Sequence, residues 1–151
     1  MRGRHSAIVA ILLGGTIAGL VDIGAASAIN GFLDPIIICH AIASGAIGRD
    51  AAKAGGMQTA LLGLALQVGM SLIIAAIYTV GASLLPILKR QWLPAGLAFG
   101  VGVFFVMEFA VVPLSAIGHF PKFTPLSFAL NMAAMLLFGV IIAWFARAER
   151  R

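Results

Sequence analysis

The chain has 151 residues, of which 62% are hydrophobic and 10% are charged, with a net charge of +5. A soluble domain is about half apolar and about a quarter charged, because polar side chains must cover its surface. This composition excludes an ordinary soluble globule and indicates an integral membrane protein, with a length that suits a single domain, residues 1–151. One cysteine excludes an internal disulfide bond and a multi-cysteine metal site.

Four segments are apolar and long enough to cross the ~30 Å hydrocarbon core of a bilayer, which takes about 20 helical residues. They are residues 7–29, 57–85, 93–116 and 125–146. None of them alternates polar and apolar residues as the strands of a membrane barrel do. Since only helices and closed barrels satisfy every backbone hydrogen bond in lipid, we expect an all-α membrane protein with four transmembrane helices.

The first segment also has features of a secretory signal peptide, namely two N-terminal arginines, an apolar stretch and the sequence Ala26-Ser27-Ala28. Asp22 and Gly24, however, make a poor end to the apolar region of a signal peptide. We therefore expect this segment to be retained as the first span.

A fifth apolar segment, residues 35–47, lies between the first and second spans. A helix of this length is about 20 Å long and is too short to cross. Its candidate capping and polar residues are Asp34, Pro35, His40, Ser44 and Gly48. The aspartate suits an N-cap, the proline a first helical position and the glycine a C-terminal stop, while the histidine and serine, four residues apart, share a face. We expect a short helix that lies at the interface or re-enters the membrane.

Basic residues are distributed unevenly if the chain has four spans. One side carries Arg2, Arg4, Lys89, Arg90, Arg147, Arg150 and Arg151, and the other carries Arg49, Lys53 and Lys122. A fifth crossing at residues 35–47 would make the two sides equal. The positive-inside rule therefore favours four spans with both termini cytoplasmic.

Polar side chains inside the spans are the main functional candidates, because ionisable groups are costly in a membrane. Each span contributes one: Asp22, Gln67, Glu108 and Asn131. Counting 1.5 Å per residue from the cytoplasmic charges places all four at a similar depth in the outer half of the bilayer. The two acids could bind a cation or relay protons, or the four side chains could form a hydrogen-bonded clasp that fixes helix register. Both interpretations stay open, and Pro113 adds to the site by freeing the carbonyl of Phe109.

Small residues four apart occur on all four spans and predict close helix packing. The pairs are Gly15 with Gly19, Gly96 with Gly100, Ala65 with Gly69, and Ala129 with Ala133. Together they indicate a compact bundle.

The sequence offers few residues for catalysis or for a cofactor. The three histidines lie outside the spans, so no buried histidine is available to bind haem or chlorophyll. No spacing matches a metal site, a serine nucleophile or a nucleotide-binding loop. We therefore expect no catalytic residue, metal or cofactor; a lipid or pigment bound at the helix surface stays open.

The motifs along the chain resemble those of the YagU-like family, small bacterial inner-membrane proteins without an assigned biochemical function. In order they are GGTIAGLVD, DP, IASGAIG, LGLALQ, a lone Tyr78, LLP and VVPLSA, within residues 14–116. Relatives often have histidine at the position of Gln67, and asparagine or histidine at that of Glu108. The resemblance thus implies a polar layer whose charge is not fixed, which weakens a strict proton relay.

Small size, short loops and the lack of catalytic motifs favour a non-catalytic accessory or scaffolding subunit beside a larger respiratory or photosynthetic membrane complex. The alternative is a small oligomeric transporter, or an ion- or proton-conducting protein, that uses the layer of Asp22 and Glu108. An intramembrane enzyme acting on lipid would have only His40 and Ser44 to use. The expected partners are the bilayer and either other membrane subunits or further copies of this chain, and the positive charge requires no nucleic acid.

Overall fold

The computed structural model describes residues 2–148, apart from the side chains of residues 2–5. This part of the chain has no strand and is 87% helical, which confirms the all-α prediction. The helices are α1 (Arg2–Ile29), α2 (Pro35–Ile47), α3 (Arg49–Ala54), α4 (Gly56–Leu84), α5 (Pro86–Arg90), α6 (Trp92–Val106), α7 (Val112–Leu114) and α8 (Pro125–Ala148). A π-helical turn, Met107–Val111, joins α6 to α7.

Four helical segments are long and apolar enough to cross a membrane. They are Ser6–Ile29, Gly56–Leu84, Trp92–Leu114 and Pro125–Ala148. Each end lies within two residues of the predicted one, and the shorter apolar helix α2 falls between the first and second segments. Large apolar side chains are exposed along all four, as lipid contact requires; Leu84, for example, is 74% exposed.

The four long helices form a bundle in which α1 lies between α4 and α8, and α6 packs on the other flank of α8. The short helix α2 lies along α4 and also touches α1. Helices α4 and α6 contact each other through Tyr78 and Phe99, whose ring centres are 4.9 Å apart. The buried core between the long helices includes Ala18, Ala75, Val103, Phe138 and Ile142.

Glycines set the spacing of α1 against α4. A Cβ atom at Gly19 would lie 2.5 Å from the Ser71 hydroxyl, and one at Gly15 would lie 3.0 Å from the Leu72 Cα atom. Ser71 itself is buried and donates to the carbonyl of Gln67 at 2.7 Å. The predicted packing face of the first span therefore meets the middle of α4.

The contact between α6 and α8 is closer still. A Cβ atom at Gly100 would lie 2.4 Å from the carbonyl oxygen of Met135, and one at Gly96 would lie 2.8 Å from the Cβ atom of Ala143. Gly139 of α8, which the sequence pattern did not single out, would place a Cβ 2.3 Å from the carbonyl of Gly96. Only glycine at these positions allows the two backbones to approach this closely.

The other two predicted small-residue faces do not pack within the described part of the chain. An added Cβ at Gly69 would meet nothing within 4 Å, and Ala65 is exposed. Ala129 and Ala133 of α8 are also exposed. The prediction of close packing is thus confirmed for the small-residue faces on α1 and α6. It is wrong, within the described residues, for those on α4 and α8.

Helix α2 begins and ends as its sequence predicts. The Asp34 carboxylate accepts a hydrogen bond from the backbone N–H of Ile36 at 2.9 Å, and Pro35 occupies the first turn. Gly48 ends the helix with φ = 85° and donates its backbone N–H to the carbonyl of Ser44 at 3.0 Å. A Cβ atom at Gly63 would clash with the carbonyl of Cys39, so a glycine also lets α2 lie directly on α4.

Candidate functional site

The best-defined polar contact within the spans joins α1 to α4. The Gln67 side-chain nitrogen donates to the Asp22 carboxylate at 2.7 Å and lies 3.5 Å from the carbonyl of Gly19. Both side chains are half-buried. The nitrogen has both of these acceptors. The Gln67 side-chain oxygen has no hydrogen-bond partner among the described residues. Two of the four predicted polar residues thus form a direct pair.

Glu108 comes close to this pair from the third span. Its carboxylate is near enough to Asp22 for the two groups to interact electrostatically. It makes no hydrogen bond with any described residue, and it is half-buried. An acid held near a second acid without a donor of its own is able to accept a proton or a cation from outside the chain.

Glu108 lies in the π turn, where the backbone leaves several carbonyls unpaired. The backbone N–H of Val112 donates to the carbonyl of Met107, five residues earlier, and that of Ser115 donates to Val111, four residues earlier. Three carbonyls, those of residues 108–110, lie between these acceptors. Only Leu114 can supply a backbone N–H to them, because Pro113 has none. At least two of the three carbonyls therefore lack a helical hydrogen bond, one more than the single carbonyl predicted at Phe109.

Asn131 does not join the other three polar side chains. Its side-chain nitrogen donates to the carbonyl of Ser127 in its own helix at 2.7 Å. The structure thus pairs Asp22 with Gln67 and sets Glu108 within electrostatic range of Asp22, whereas the Asn131 side chain bonds within its own helix. Of the two acid–amide pairs that a clasp would need, the described residues form one, Asp22 with Gln67 between α1 and α4.

Two cavities flank the third span. One of about 380 Å³ separates α4 from α6 and is lined by apolar side chains such as Ile77, Phe99 and Val106. The other, of about 470 Å³, lies among α1, α2, α4 and α7; its polar lining residues are Asn30, Gln67 and Ser115. Met107 lines both. We name the cavity among α1, α2, α4 and α7 the apolar cavity, because most of its lining residues are apolar.

The polar residues of α2 face α3 and α4. The His40 ring nitrogen Nε2 donates to the carbonyl of Gly56 at 2.7 Å, and the buried Ser44 hydroxyl donates to the carbonyl of Ala41 at 2.6 Å. The neighbouring Cys39 thiol is buried, and its burial raises its pKa. The His40 and Ser44 side chains are not hydrogen-bonded to each other, so they do not form a base–nucleophile pair.

Residues able to bind a metal are scattered in the described part of the chain. Nowhere in residues 6–148 do three histidine, cysteine, aspartate or glutamate side chains come together. His119 lies beside Arg49, with its Nε2 atom 3.4 Å from the guanidinium.

Sequence reasoning missed three features around the site. The π turn has no signature in hydropathy, although Pro113 marks its position. Gly63 and Gly139 were hidden among 18 glycines, since spacing alone does not identify which ones touch another backbone. The grouping of Arg49 and Lys53 beside α2 depends on the turn at Gly48, which the periodicity of α2 does not specify.

Comparison with known proteins finds no matching family model, no similar curated protein and no similar solved structure. The resemblance to the YagU-like family stays a prediction.

Proposed function

We propose that this chain is a non-catalytic integral membrane protein that acts as an accessory subunit, packing beside other membrane-protein subunits or further copies of itself. The observation that carries the proposal is the pair of small-residue faces that no described residue covers. One is Ala65 and Gly69 on α4, and the other is Ala129 and Ala133 on α8.

Such faces favour helix association in a membrane for a physical reason. Lipid chains are as apolar as leucine, so no hydrophobic effect drives two helices together there, and close van der Waals packing must do so instead. The same kind of face joins α1 to α4 and α6 to α8 within this chain, at Gly15, Gly19, Gly96 and Gly100. The two outward faces offer the same mode of contact to another helix.

The proposed setting is a bacterial inner membrane, as the resemblance to the YagU-like family implies. The seven-to-three distribution of basic residues supports an orientation with both termini in the cytoplasm. In that orientation α2, α3 and the connection 115–124 lie on the outer side. Trp92 then lies at the cytoplasmic surface, where the guanidinium of Arg147 sits 4.8 Å from its ring centre.

The experiment is bulky substitution on the outward faces. Gly69→Leu and Ala133→Leu should leave the chain folded, since no described atom lies within 4 Å of the position at Gly69 and Ala133 is exposed. Each should release subunits that migrate with the wild-type protein from gently solubilised native membranes. Gly102→Leu, at an exposed glycine of α6 where an added Cβ atom would meet nothing within 4 Å, is the matched control and should retain them.

Circular dichroism and thermal unfolding of each variant confirm that the fold is intact. Retention of the same subunits by Gly69→Leu and Ala133→Leu would contradict the proposal. So would migration of the wild-type protein as a lone monomer of 15.6 kDa within its micelle.

A second candidate is a small oligomeric transporter, or an ion- or proton-conducting protein. It is favoured by the Asp22–Gln67 pair, the unpartnered Glu108 carboxylate beside it, and the free carbonyls of the π turn. Four spans enclose little space for a path, so conduction would require an oligomer. Proton or cation flux into liposomes, abolished in Glu108→Gln and reduced in Asp22→Asn, would favour this function over the first. Flux equal to that of protein-free liposomes would exclude it.

A further inference from the structure

A third cavity lies next to the apolar cavity along α2. It has a volume of about 460 Å³, and its polar lining comes from His40, Ser44, Arg49 and Lys53. We name it the basic cavity. Ala41 and Ile117 line both cavities, so the two meet at the same stretch of α2. A basic chamber therefore opens beside an apolar one.

The basic cavity carries two cations, Arg49 and Lys53, with Asp50 between them in the sequence on the same helix α3. No acidic side chain lines it. Among the described residues, neither Arg49 nor Lys53 forms an ion pair, and the one hydrogen bond of Arg49 is the long one, 3.4 Å, to His119. The Ser44 hydroxyl and the His40 Nε2–H already donate to the carbonyls of Ala41 and Gly56, so neither proton is available to an anion. An oxyanion in the basic cavity would therefore be held by the exposed guanidinium of Arg49 and the exposed ammonium of Lys53.

The apolar cavity has the opposite character. Its walls are mostly aliphatic and thioether side chains, among them Ile38, Ile42, Met70 and Met107, and no ionisable residue lines it. Its volume of about 470 Å³ is in the range that holds a small organic molecule or a length of hydrocarbon chain. Methionines make such a wall adaptable in shape.

We infer that the two cavities together bind one anionic phospholipid. Its phosphate lies between Arg49 and Lys53, and an acyl chain enters the apolar cavity past Ala41 and Ile117. A basic pocket between membrane helices is a known arrangement for an anionic headgroup. A free inorganic anion would use only the basic cavity, and a zwitterionic lipid would gain little from two cations. The juxtaposition of both cavities therefore selects a lipid that carries net negative charge.

The test measures lipid binding to the purified full-length chain in micelles by native mass spectrometry. The two probes are dioleoylphosphatidylglycerol and dioleoylphosphatidylcholine, which share their acyl chains and differ in net charge. Because each basic residue near a headgroup contributes about fivefold in affinity, the wild-type chain should prefer the anionic lipid by about 25-fold. The double variant Arg49→Gln with Lys53→Gln should lose most of that preference, and its exposed positions should leave the fold intact.

Two further variants separate the headgroup site from the chain site and from general surface charge. Lys122→Gln removes an exposed lysine outside both cavities and should leave the preference unchanged. Ala46→Phe places a ring at the wall of the apolar cavity only and should weaken both lipids at least fivefold. Added inorganic phosphate should not displace the anionic lipid, because it lacks the chain.

Several results would overturn the inference. Equal affinity of the wild-type chain for the two lipids would exclude recognition of the negative charge. An equal loss of preference in Lys122→Gln and in the double variant would show a diffuse surface potential instead of a site. Full displacement by inorganic phosphate, or unchanged binding in Ala46→Phe, would show that no acyl chain enters the apolar cavity.

Discussion

The contact between α6 and α8 offers the sharpest test of the fold, because two glycines of α6 differ only in what lies opposite them. A Cβ atom at Gly100 would lie 2.4 Å from the carbonyl oxygen of Met135 and 3.0 Å from the Cα atom of Leu136. At Gly102, two residues further along the same helix, an added Cβ would meet nothing within 4 Å. Gly100→Ala and Gly102→Ala are therefore a matched pair.

The expected magnitude follows from these distances. Van der Waals contact requires about 3.5 Å, so at Gly100 the two backbones must separate by about 1 Å. Overpacking of this kind costs about 1–3 kcal/mol of stability. Both variants gain the same helix propensity, up to about 1 kcal/mol for glycine to alanine, so that contribution cancels between them. We expect Gly100→Ala to be less stable than Gly102→Ala by about 1–3 kcal/mol.

The assay is unfolding of each purified variant in micelles, by heat or by titration with a denaturing detergent, followed by helical circular dichroism. Gly102→Ala should unfold at or slightly above the wild-type midpoint, and Gly100→Ala should unfold well below it. Equal midpoints for the two variants would refute the close approach of α6 to α8 at Met135.

Three further predictions concern α2 and the polar pair. Asp34→Ala removes the N-cap of α2 and should destabilise its first turn by about 1 kcal/mol, seen as faster hydrogen exchange at the Ile36 amide; unchanged exchange there would contradict the cap. Gln67→Met deprives the Asp22 carboxylate of its side-chain donor and should lower the free energy of unfolding by about 1–3 kcal/mol. Asp22→Asn keeps an amide pair and should lower the free energy of unfolding by less. The reverse order would exclude the pair as a structural contact. Burial raises the pKa of the Cys39 thiol, so less of the reactive thiolate exists at a given mildly alkaline pH. Iodoacetamide should therefore alkylate the folded chain more slowly than the denatured one until the pH is raised further. Equal rates at every pH would show an exposed, unperturbed thiol.

The long helices could be predicted from sequence because hydropathy and length determine them directly. Uniform apolarity over more than 20 residues has few structural solutions in lipid, and the four predicted spans agree with the four long helices. The ends of α2 were predictable for a local reason as well, since Asp34, Pro35 and Gly48 each act on their own helix.

Features that depend on a neighbouring helix were predicted less well. The spacing of Ala65 with Gly69 resembles that of Gly15 with Gly19, yet only the second pair meets another helix of this chain. Spacing shows that a face permits close approach, but the partner is decided by how the helices are arranged. Equal counting along each span likewise grouped Asn131 with the two acids, whereas its side chain bonds to its own helix.

Part of the polar site could be predicted from the sequence. Asp22, Gln67 and Glu108 stand out because polar groups are rare in spans. The structure pairs the first two directly and sets Glu108 within electrostatic range of Asp22. The π turn around Glu108 was not foreseen, because it depends on how the backbone accommodates Pro113 against the bundle.

The proposed function rests on the two outward small-residue faces, and one measurement tests it most directly. Native mass spectrometry of the protein extracted gently from the membrane in which it normally resides reports its bound protein subunits. We expect a complex in which this chain contacts at least one further membrane subunit or a second copy, and from which Gly69→Leu and Ala133→Leu dissociate. A wild-type chain that is released only as a monomer, under conditions that keep other membrane complexes of the same extract intact, would contradict the proposal.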